Sequence, residues 1–347
     1  MRRVLITRFS ALGDVAMTVP VVTEVCRENP GDRFVMLTRK HPAQLFTQIP
    51  ENLTVETFDP DSYKGLSGLL RLWRGLQARY RFTDFVDLHD VFRTRMLRLY
   101  ARMSGVRVST VDKGRAAKRR LTRRRHKALV PLRHTALRYA DAFTRSGFKC
   151  AGFKFEGATP AFTCRGPQPA VSSPLKSPAA IAIAPFAKHP GKIYPAELME
   201  KVVARLAARP DTRLYIFGFG DEETAVIAGW AAEYGNIENM AQKRLGLRKE
   251  LEVIASCRVM LSMDSANMHL ASLVGTPVVS IWGATHPYAG FLGIGQREED
   301  AVQLPLPCRP CSVFGDRKCR RGDYQCLRGI SPETILQRIE HHLNTNI

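Results

Sequence analysis

Three short groups of residues combine side chains able to move a proton, hold an anion and orient a polar ligand. The first is Ser10-Ala11-Leu12-Gly13-Asp14, which follows the apolar, β-branched run Val4 to Thr7 and opens an amphipathic stretch. A carboxylate at a helix N-terminus accepts hydrogen bonds from the free amides there, which favours its ionised form and its use as a base. The same residue can equally serve only as a helix cap. The second group, Asp264-Ser265-Ala266-Asn267-Met268-His269, follows the run Val259 to Met263. Free N–H groups at such a terminus bind phosphate oxygens, Ser265 adds a hydroxyl, and His269 stands one helical turn further on. A capped helix with a satisfied core histidine is the other reading. The third group is Lys188-His189-Pro190-Gly191-Lys192-Ile193-Tyr194-Pro195, again between a strand-like run and a helix start. A lysine held there can neutralise a diphosphate as it becomes a leaving group.

Weaker signals surround these. Gly218-Phe219-Gly220-Asp221-Glu222-Glu223 looks like a dinucleotide turn but lacks the third glycine, which argues against hydride transfer. Glu222 at the helix start could bind ribose hydroxyls or complement the helix dipole. Asp59-Pro60-Asp61 reads as a turn and not as a pair of metal-binding carboxylates. With neither a Walker motif nor a Gly-x-Ser-x-Gly elbow, the chain is not expected to be an NTPase or an α/β-hydrolase.

These groups must be positioned by the elements around them. Val4 to Thr7, Phe34 to Thr38 and Phe85 to Leu88 read as strands with helical patterns between them. After Arg165 to Pro178, a stretch with four prolines and no apolar periodicity, the alternation restarts. Ile181 to Ala184, Leu214 to Phe217, Val259 to Met263 and Val278 to Ile281 are its strands; Asp221 to Tyr234 and Ser265 to Val274 are helices, and Ser331 to Leu343 closes the chain as another. Alternating strands and helices require parallel sheets covered on both faces. The expected fold is α/β, two doubly wound Rossmann-like halves: 1-164, a linker 165-178, 179-330, and a terminal helix 331-347. Ligands in such folds lie beyond the carboxyl ends of the strands, so the cleft between the halves is the expected site.

The four features in this order resemble the heptosyltransferases of lipopolysaccharide core assembly, glycosyltransferase family 9, which are inverting enzymes of the GT-B fold. The features are Ser10 to Asp14 with Pro20 downstream, Lys192-Ile193-Tyr194-Pro195, Asp264-Ser265 with His269, and Gly275-Thr276-Pro277-Val278-Val279. The resemblance implies that Asp14 deprotonates the acceptor hydroxyl and that Lys192 holds the donor diphosphate. It further implies that Asp264 contacts the donor sugar, that Ser265, Ala266 and His269 form the phosphate end of the pocket, that Glu222 binds the ribose, and that Leu245 lines the adenine pocket. The implied donor is ADP-heptose and the acceptor an anionic glycolipid. Displacement at an anomeric carbon needs a base on one face and a stabilised leaving group on the other, and Lys192 with a helix N-terminus supplies that positive charge without a cofactor. The chain departs from the family pattern at Ala266, at Tyr194 in place of Trp, and at Gly283-Ala284-Thr285-His286-Pro287, changes expected on the donor side.

The 347 residues carry 52 Lys and Arg against 32 Asp and Glu, a net charge of +20, while 45% hydrophobic and 24% charged residues are ordinary for a globular chain. The excess is local: from Arg93 to Arg133 there are fifteen Lys and Arg and one acid, Asp112. Such a run suits nucleic acid or an anionic lipid surface. Tyr100 is its one aromatic residue, which disfavours stacking on bases. Arg119, Arg120, Arg123, Arg124 and Arg125 are therefore expected to dock the N-terminal half on the inner membrane face, with no nucleic-acid partner. The longest apolar run, Ala179 to Ala187, is too short to span a bilayer and contains Pro185, and Arg8 and Asp14 interrupt any secretory signal. A cytoplasmic, peripheral protein is the expectation.

Four of the eight cysteines form Cys308-x2-Cys311-x7-Cys319-x6-Cys326, a spacing compatible with a structural zinc site and equally with reduced thiols in a loop. The activity expected overall is heptosyl transfer. Another nucleotide-sugar donor, or a basic nucleic-acid-binding protein on the same fold, are the alternatives.

Overall fold

The short apolar runs become strands because helices cover both faces of each sheet, so a strand need not alternate polar and apolar residues. Val4, Leu5 and Ile6 are all fully buried, as are Val259, Met260 and Leu261. The computed structural model describes residues 1–153 and 179–344; the expected linker 165–178 lies outside them.

Chain contacts divide the molecule into two units. The first comprises Met1–Gly114 and 133–153. Its five strands are β1 (Arg3–Thr7), β2 (Arg33–Thr38), β3 (Leu53–Thr57), β4 (Asp84–Asp87) and β5 (Arg107–Thr110), all parallel, in the order β3-β2-β1-β4-β5. The helix Leu12–Glu28 returns from β1 and packs beside the helix Thr135–Thr144. Its Pro20 sits inside the helix without ending it. A core of Leu5, Val35, Leu37, Trp73, Phe85 and Leu97 lies on one face of the sheet.

The second unit comprises Arg115–Leu132 and 179–344. Its strands are β6 (Ala179–Ala184), β7 (Thr212–Ile216), β8 (Ile237–Asn239), β9 (Val259–Met263), β10 (Val278–Ile281) and β11 (Ala301–Val302), parallel in the order β11-β10-β9-β6-β7-β8. β9 and β10 coincide with the runs read from sequence. β3, β5, β8 and β11 are not marked in the sequence: β3 and β5 are half-exposed, and β8 and β11 have only 3 and 2 residues, so none carries an apolar run.

The five arginines expected to act from the N-terminal half belong to the segment Arg115–Leu132, which groups with the second unit. The reason is specific contacts. Lys127 Nζ donates to the carbonyls of Cys308 and Arg309, each at 2.8 Å, Lys118 lies over the Phe291 ring at 4.1 Å, and the Leu132 amide donates to Tyr288 O.

Candidate active site

In a doubly wound sheet the loops diverge where the strand order reverses, leaving a crevice at the carboxyl ends. In the first unit that point lies between β1 and β4. There Asp14 stands in the first turn of the helix Leu12–Glu28, and its Oδ2 accepts from the Ala11 amide at 3.3 Å. The same oxygen lies 2.5 Å from Arg8 Nη2, with Arg8 8% and Asp14 27% exposed at the side chain. Arg8 also donates to Leu88 O at 2.9 Å and stands over the Tyr139 ring at 5.8 Å. Burial would drive its charge off, yet its pKa is held above the ordinary value by Asp14, with Tyr139 and Asp87 adding to the attraction. Asp14 is thus more than a cap: it anchors a buried cation. Nothing in the local sequence marks Arg8 as buried, because an arginine after a strand is usually exposed.

The neighbouring loop, after β4, is organised by Asp87, whose Oδ1 accepts from Thr7 Oγ1 and from the amides of His89 and Asp90. His89 is neutral: burial foremost, then the positive charge of Arg8 and Lys113, pushes its pKa down to about 3. A cavity of about 480 Å³ is lined there by Phe9, Ser10, Arg39, Tyr63, His89 and Arg93, among others. Neither Arg39 nor Arg93 has an ion-pair partner among the described residues. Asp59-Pro60-Asp61 is a turn, closed by the Asp61 amide on Asp59 Oδ1.

In the second unit the order reverses between β6 and β9. Lys192 ends a 3₁₀ turn, Pro190–Lys192, in the loop after β6, and Asp264 directly follows β9. Lys192 Nζ and Asp264 Oδ2 meet at 2.9 Å. The contact is an ion pair without hydrogen-bond alignment, so the buried Oδ2 accepts no hydrogen bond among the described residues. It keeps the capacity to accept one from a ligand hydroxyl. Ser265 precedes the helix Ala266–Val274 without capping it; its hydroxyl turns instead to Ser262 Oγ at 3.3 Å. The helix amides are thereby left to meet an anion beside an ammonium group, a suitable seat for a diphosphate. Ala266 is half-buried at the first position of that helix, and His269 is buried one turn on.

The other residues expected on the donor side follow β7 and β8. Glu222 is exposed in the first turn of the helix Asp221–Glu233, while its neighbour Glu223 is the carboxylate tied to the loop, accepting from the Phe219 amide at 2.7 Å. Phe219 itself is 91% exposed. Leu245 is half-buried between the short helices Met240–Lys243 and Leu247–Ser256. Tyr194, expected to alter the donor side, does not face it. It is 1% exposed in the core, and its hydroxyl donates to Ile330 O at 2.7 Å. Its apolar body fills a core position and its one polar atom finds a carbonyl there.

Cys308, Cys311, Cys319 and Cys326 line one small cavity together with Arg309. Arg309 is 4% exposed, and its guanidinium donates to the carbonyls of Trp282, Gly283, Thr285 and Leu304 and to Gln303 Oε1, with no carboxylate partner among the described residues. Burial lowers its pKa to about 10, against the pull of the neighbouring thiols. As the side chains stand, no group of three or more His, Cys, Asp or Glu among the described residues could hold a metal ion. Of the basic run, Arg95 and Arg98 pair with Asp90, Arg107 with Asp84 and Arg133 with Asp141. Arg119, Arg120, Arg123, Arg124 and Arg125 are exposed, and nearby Leu129 and Val130 are 52% and 59% exposed.

The chain has relatives among known proteins. The chain is 24% identical over 362 residues to lipopolysaccharide heptosyltransferase 1 of Pseudomonas aeruginosa, covering 97% of each chain. In fold it is similar to the family 9 glycosyltransferase of Veillonella parvula, with TM-score 0.71, 17% identity and coverage of 99% of this chain and 97% of that one. It is similar also to the E. coli heptosyltransferase WaaC with ADP, with TM-score 0.65, 17% identity and coverage of 98% and 99%. The model of glycosyltransferase family 9 (heptosyltransferase) matches residues 69–319, and with the parallel sheets of the GT-B fold this shows that the chain belongs to that family.

Proposed function

We propose that the protein transfers a heptose from ADP-heptose to an acidic sugar of a lipopolysaccharide core, with inversion at the anomeric carbon. The observation that carries this reading is the Lys192–Asp264 pair beside the uncapped helix Ala266–Val274. A cation, free amides and a buried carboxylate oxygen are what a sugar diphosphate requires: charge for the phosphates, an acceptor for a sugar hydroxyl. Lys192 and the helix amides stabilise the ADP that departs, because negative charge grows there as the glycosidic bond breaks. Asp14 takes the proton of the attacking hydroxyl, and Arg8 fixes the position of its carboxylate at 2.5 Å. Ser265, Ala266 and His269 complete the phosphate end, Glu222 takes the ribose, and Leu245 packs on the adenine. The relative from Pseudomonas aeruginosa is a lipopolysaccharide heptosyltransferase and the E. coli structure holds ADP, which supports this donor and acceptor over other nucleotide-sugars.

On the acceptor side, Arg39 and Arg93 suit the carboxylates or phosphates of a core sugar. Arg119, Arg120, Arg123, Arg124 and Arg125, beside exposed Leu129 and Val130, suit an anionic membrane surface, where cations meet headgroups and aliphatic side chains reach the acyl boundary. No helix among the described residues is long and apolar enough to cross a membrane, and the reading is of a peripheral protein on the cytoplasmic face of the inner membrane. The transfer chemistry rests on side chains and helix amides. For the cysteine loop the proposal is a structural zinc held by Cys308, Cys311, Cys319 and Cys326, which line one cavity but would have to turn their thiols towards a common point to bind it; elemental analysis without zinc would remove it.

Transfer from ADP-heptose and calorimetric titration with ADP, UDP and GDP test the reading together. Asp14→Ala is expected to abolish transfer with ADP binding retained, and Lys192→Ala to weaken both. Preference for UDP or GDP, or full transfer by Asp14→Ala, would overturn it.

A further inference from the structure

The cysteine-bearing loop makes contacts that neither its thiols nor the transfer reaction explain. Between Cys311 and Cys319 the chain folds into a tight turn, Ser312 to Asp316. Ser312, 1% exposed, accepts at Oγ from the amides of Phe314 and Gly315 at 3.2 and 2.9 Å and donates to Asp316 Oδ1 at 2.6 Å. One hydroxyl thus ties three residues of the turn, and its hydrogen bond to Asp316 is the foremost cause of that carboxyl's lowered pKa.

The turn is pinned to the lysine loop by a backbone seam. Gly315 O accepts from the Gly191 amide at 3.2 Å, Gly191 O accepts from the Ala284 amide at 2.8 Å, and Ala284 O accepts from the amides of Cys311 and Ser312 at 3.0 and 3.2 Å. The seam admits no side chain. A Cβ on Gly191 would lie 2.8 Å from Gly315 O, and one on Gly315 would lie 2.6 Å from Lys192 Cγ and 3.3 Å from its Cδ and Cε. Gly315 has φ +76°, open to glycine without strain. The Lys192 stem therefore rests along bare backbone of the cysteine loop while its ammonium reaches Asp264 at 2.9 Å. A four-carbon stem with free rotamers would otherwise sample many positions, and walling it in removes that entropy before a ligand arrives.

We infer that the turn Ser312 to Asp316 is a positioning element for donor binding, and that Gly315 acts through Lys192 to hold its ammonium where the diphosphate is received. Gly315 and Ser312 are positioning residues, since neither presents a reactive group to the donor. The inference rests on Lys192 being the diphosphate ligand.

A double-mutant cycle on ADP affinity, read by calorimetry with thermal midpoints recorded for every variant, separates the two claims. Gly315→Ala is expected to weaken ADP binding by about tenfold or more, the range of a charge-assisted contact. In a chain already carrying Lys192→Met it is expected to add almost nothing. Ser312→Ala, which keeps the glycine and loosens the turn, should weaken ADP in the same direction, and Ser312→Thr, which keeps the hydroxyl, should restore it. ADP affinity unchanged in both Gly315→Ala and Ser312→Ala, or a Gly315→Ala loss that persists in full beside Lys192→Met, overturns the inference. Should Gly315→Ala fail to fold, the Ser312 pair decides by the same criteria. Parental affinity in Lys192→Met alone would instead refute the diphosphate reading, and the inference with it.

Discussion

Lys192→Met leaves Asp264 without its cation at a position where the carboxylate side chain is 5% exposed. Removing one partner of a buried pair costs about 3–5 kcal/mol, because the other charge stays desolvated and unpaired. Lys192 is itself 16% exposed, so water reaches the vacated place and the lower figure, about 3 kcal/mol, applies. For a unit of about 150–250 residues each kcal/mol moves the thermal midpoint by about 2–4 °C, giving a fall of about 6–12 °C. Adding Asp264→Asn removes the stranded charge and should recover most of that fall. ADP affinity should follow a different pattern. The ammonium is gone from both the single and the double variant, so both should bind ADP about 10- to 150-fold more weakly, the equivalent of about 1.5–3 kcal/mol for a hydrogen bond to a charged group. Differential scanning calorimetry with and without ADP, together with isothermal titration, reads both quantities. An unchanged midpoint in Lys192→Met, or a double variant as unstable as the single one, would refute the reasoning.

Three further outcomes are expected. Arg8→Gln frees Asp14 from the guanidinium that fixes it at 2.5 Å, so transfer should slow by about 10- to 100-fold with ADP affinity unchanged, and Arg8→Lys should keep part of the rate; equal rates in all three proteins would remove Arg8 from the mechanism. His89 has its folded pKa depressed to about 3 from an ordinary value near 6.5, so the unfolded chain binds more protons between those values. Stability from this group is present above about pH 6.5 and is lost as pH falls towards 3, at about 1.4 kcal/mol per unit; in His89→Gln the urea midpoint should depend less on pH over that window, and an identical profile would contradict it. Neutralising Arg119, Arg120, Arg123, Arg124 and Arg125 together should release the protein from vesicles containing anionic lipid, since each exposed cation contributes about 1 kcal/mol near such a surface; retained binding would exclude this patch as the membrane contact.

Much of the fold was legible in the chain because the signals involved are local. Val259 to Met263 and Val278 to Ile281 are strands by their own apolar, β-branched composition, and Ser265 with Gly275 bracket the helix between them. The placement of Asp14, Lys192 and Asp264 at strand ends follows from where each lies relative to such a run. Half-exposed strands such as β3 and β5 carry no comparable run, and they exist because neighbouring strands offer them hydrogen bonds.

Tertiary structure decided which of these residues meet. Lys192 and Asp264 are 72 residues apart in the chain, and only the reversal of strand order between β6 and β9 brings them to 2.9 Å. Arg8 reads as a surface residue until β4 and the helix Thr135–Thr144 close over it. Tyr194 reads as a ligand-side change until its hydroxyl is found on Ile330 O. The basic run reads as one patch, yet Asp84, Asp87, Asp90 and Asp141 absorb part of it and Lys127 ties another part to the cysteine loop. Composition and periodicity report what each segment buries. Contacts such as Lys192 with Asp264, Arg107 with Asp84 and Lys127 with the cysteine loop span tens to hundreds of residues, and those exist only once the sheets have formed.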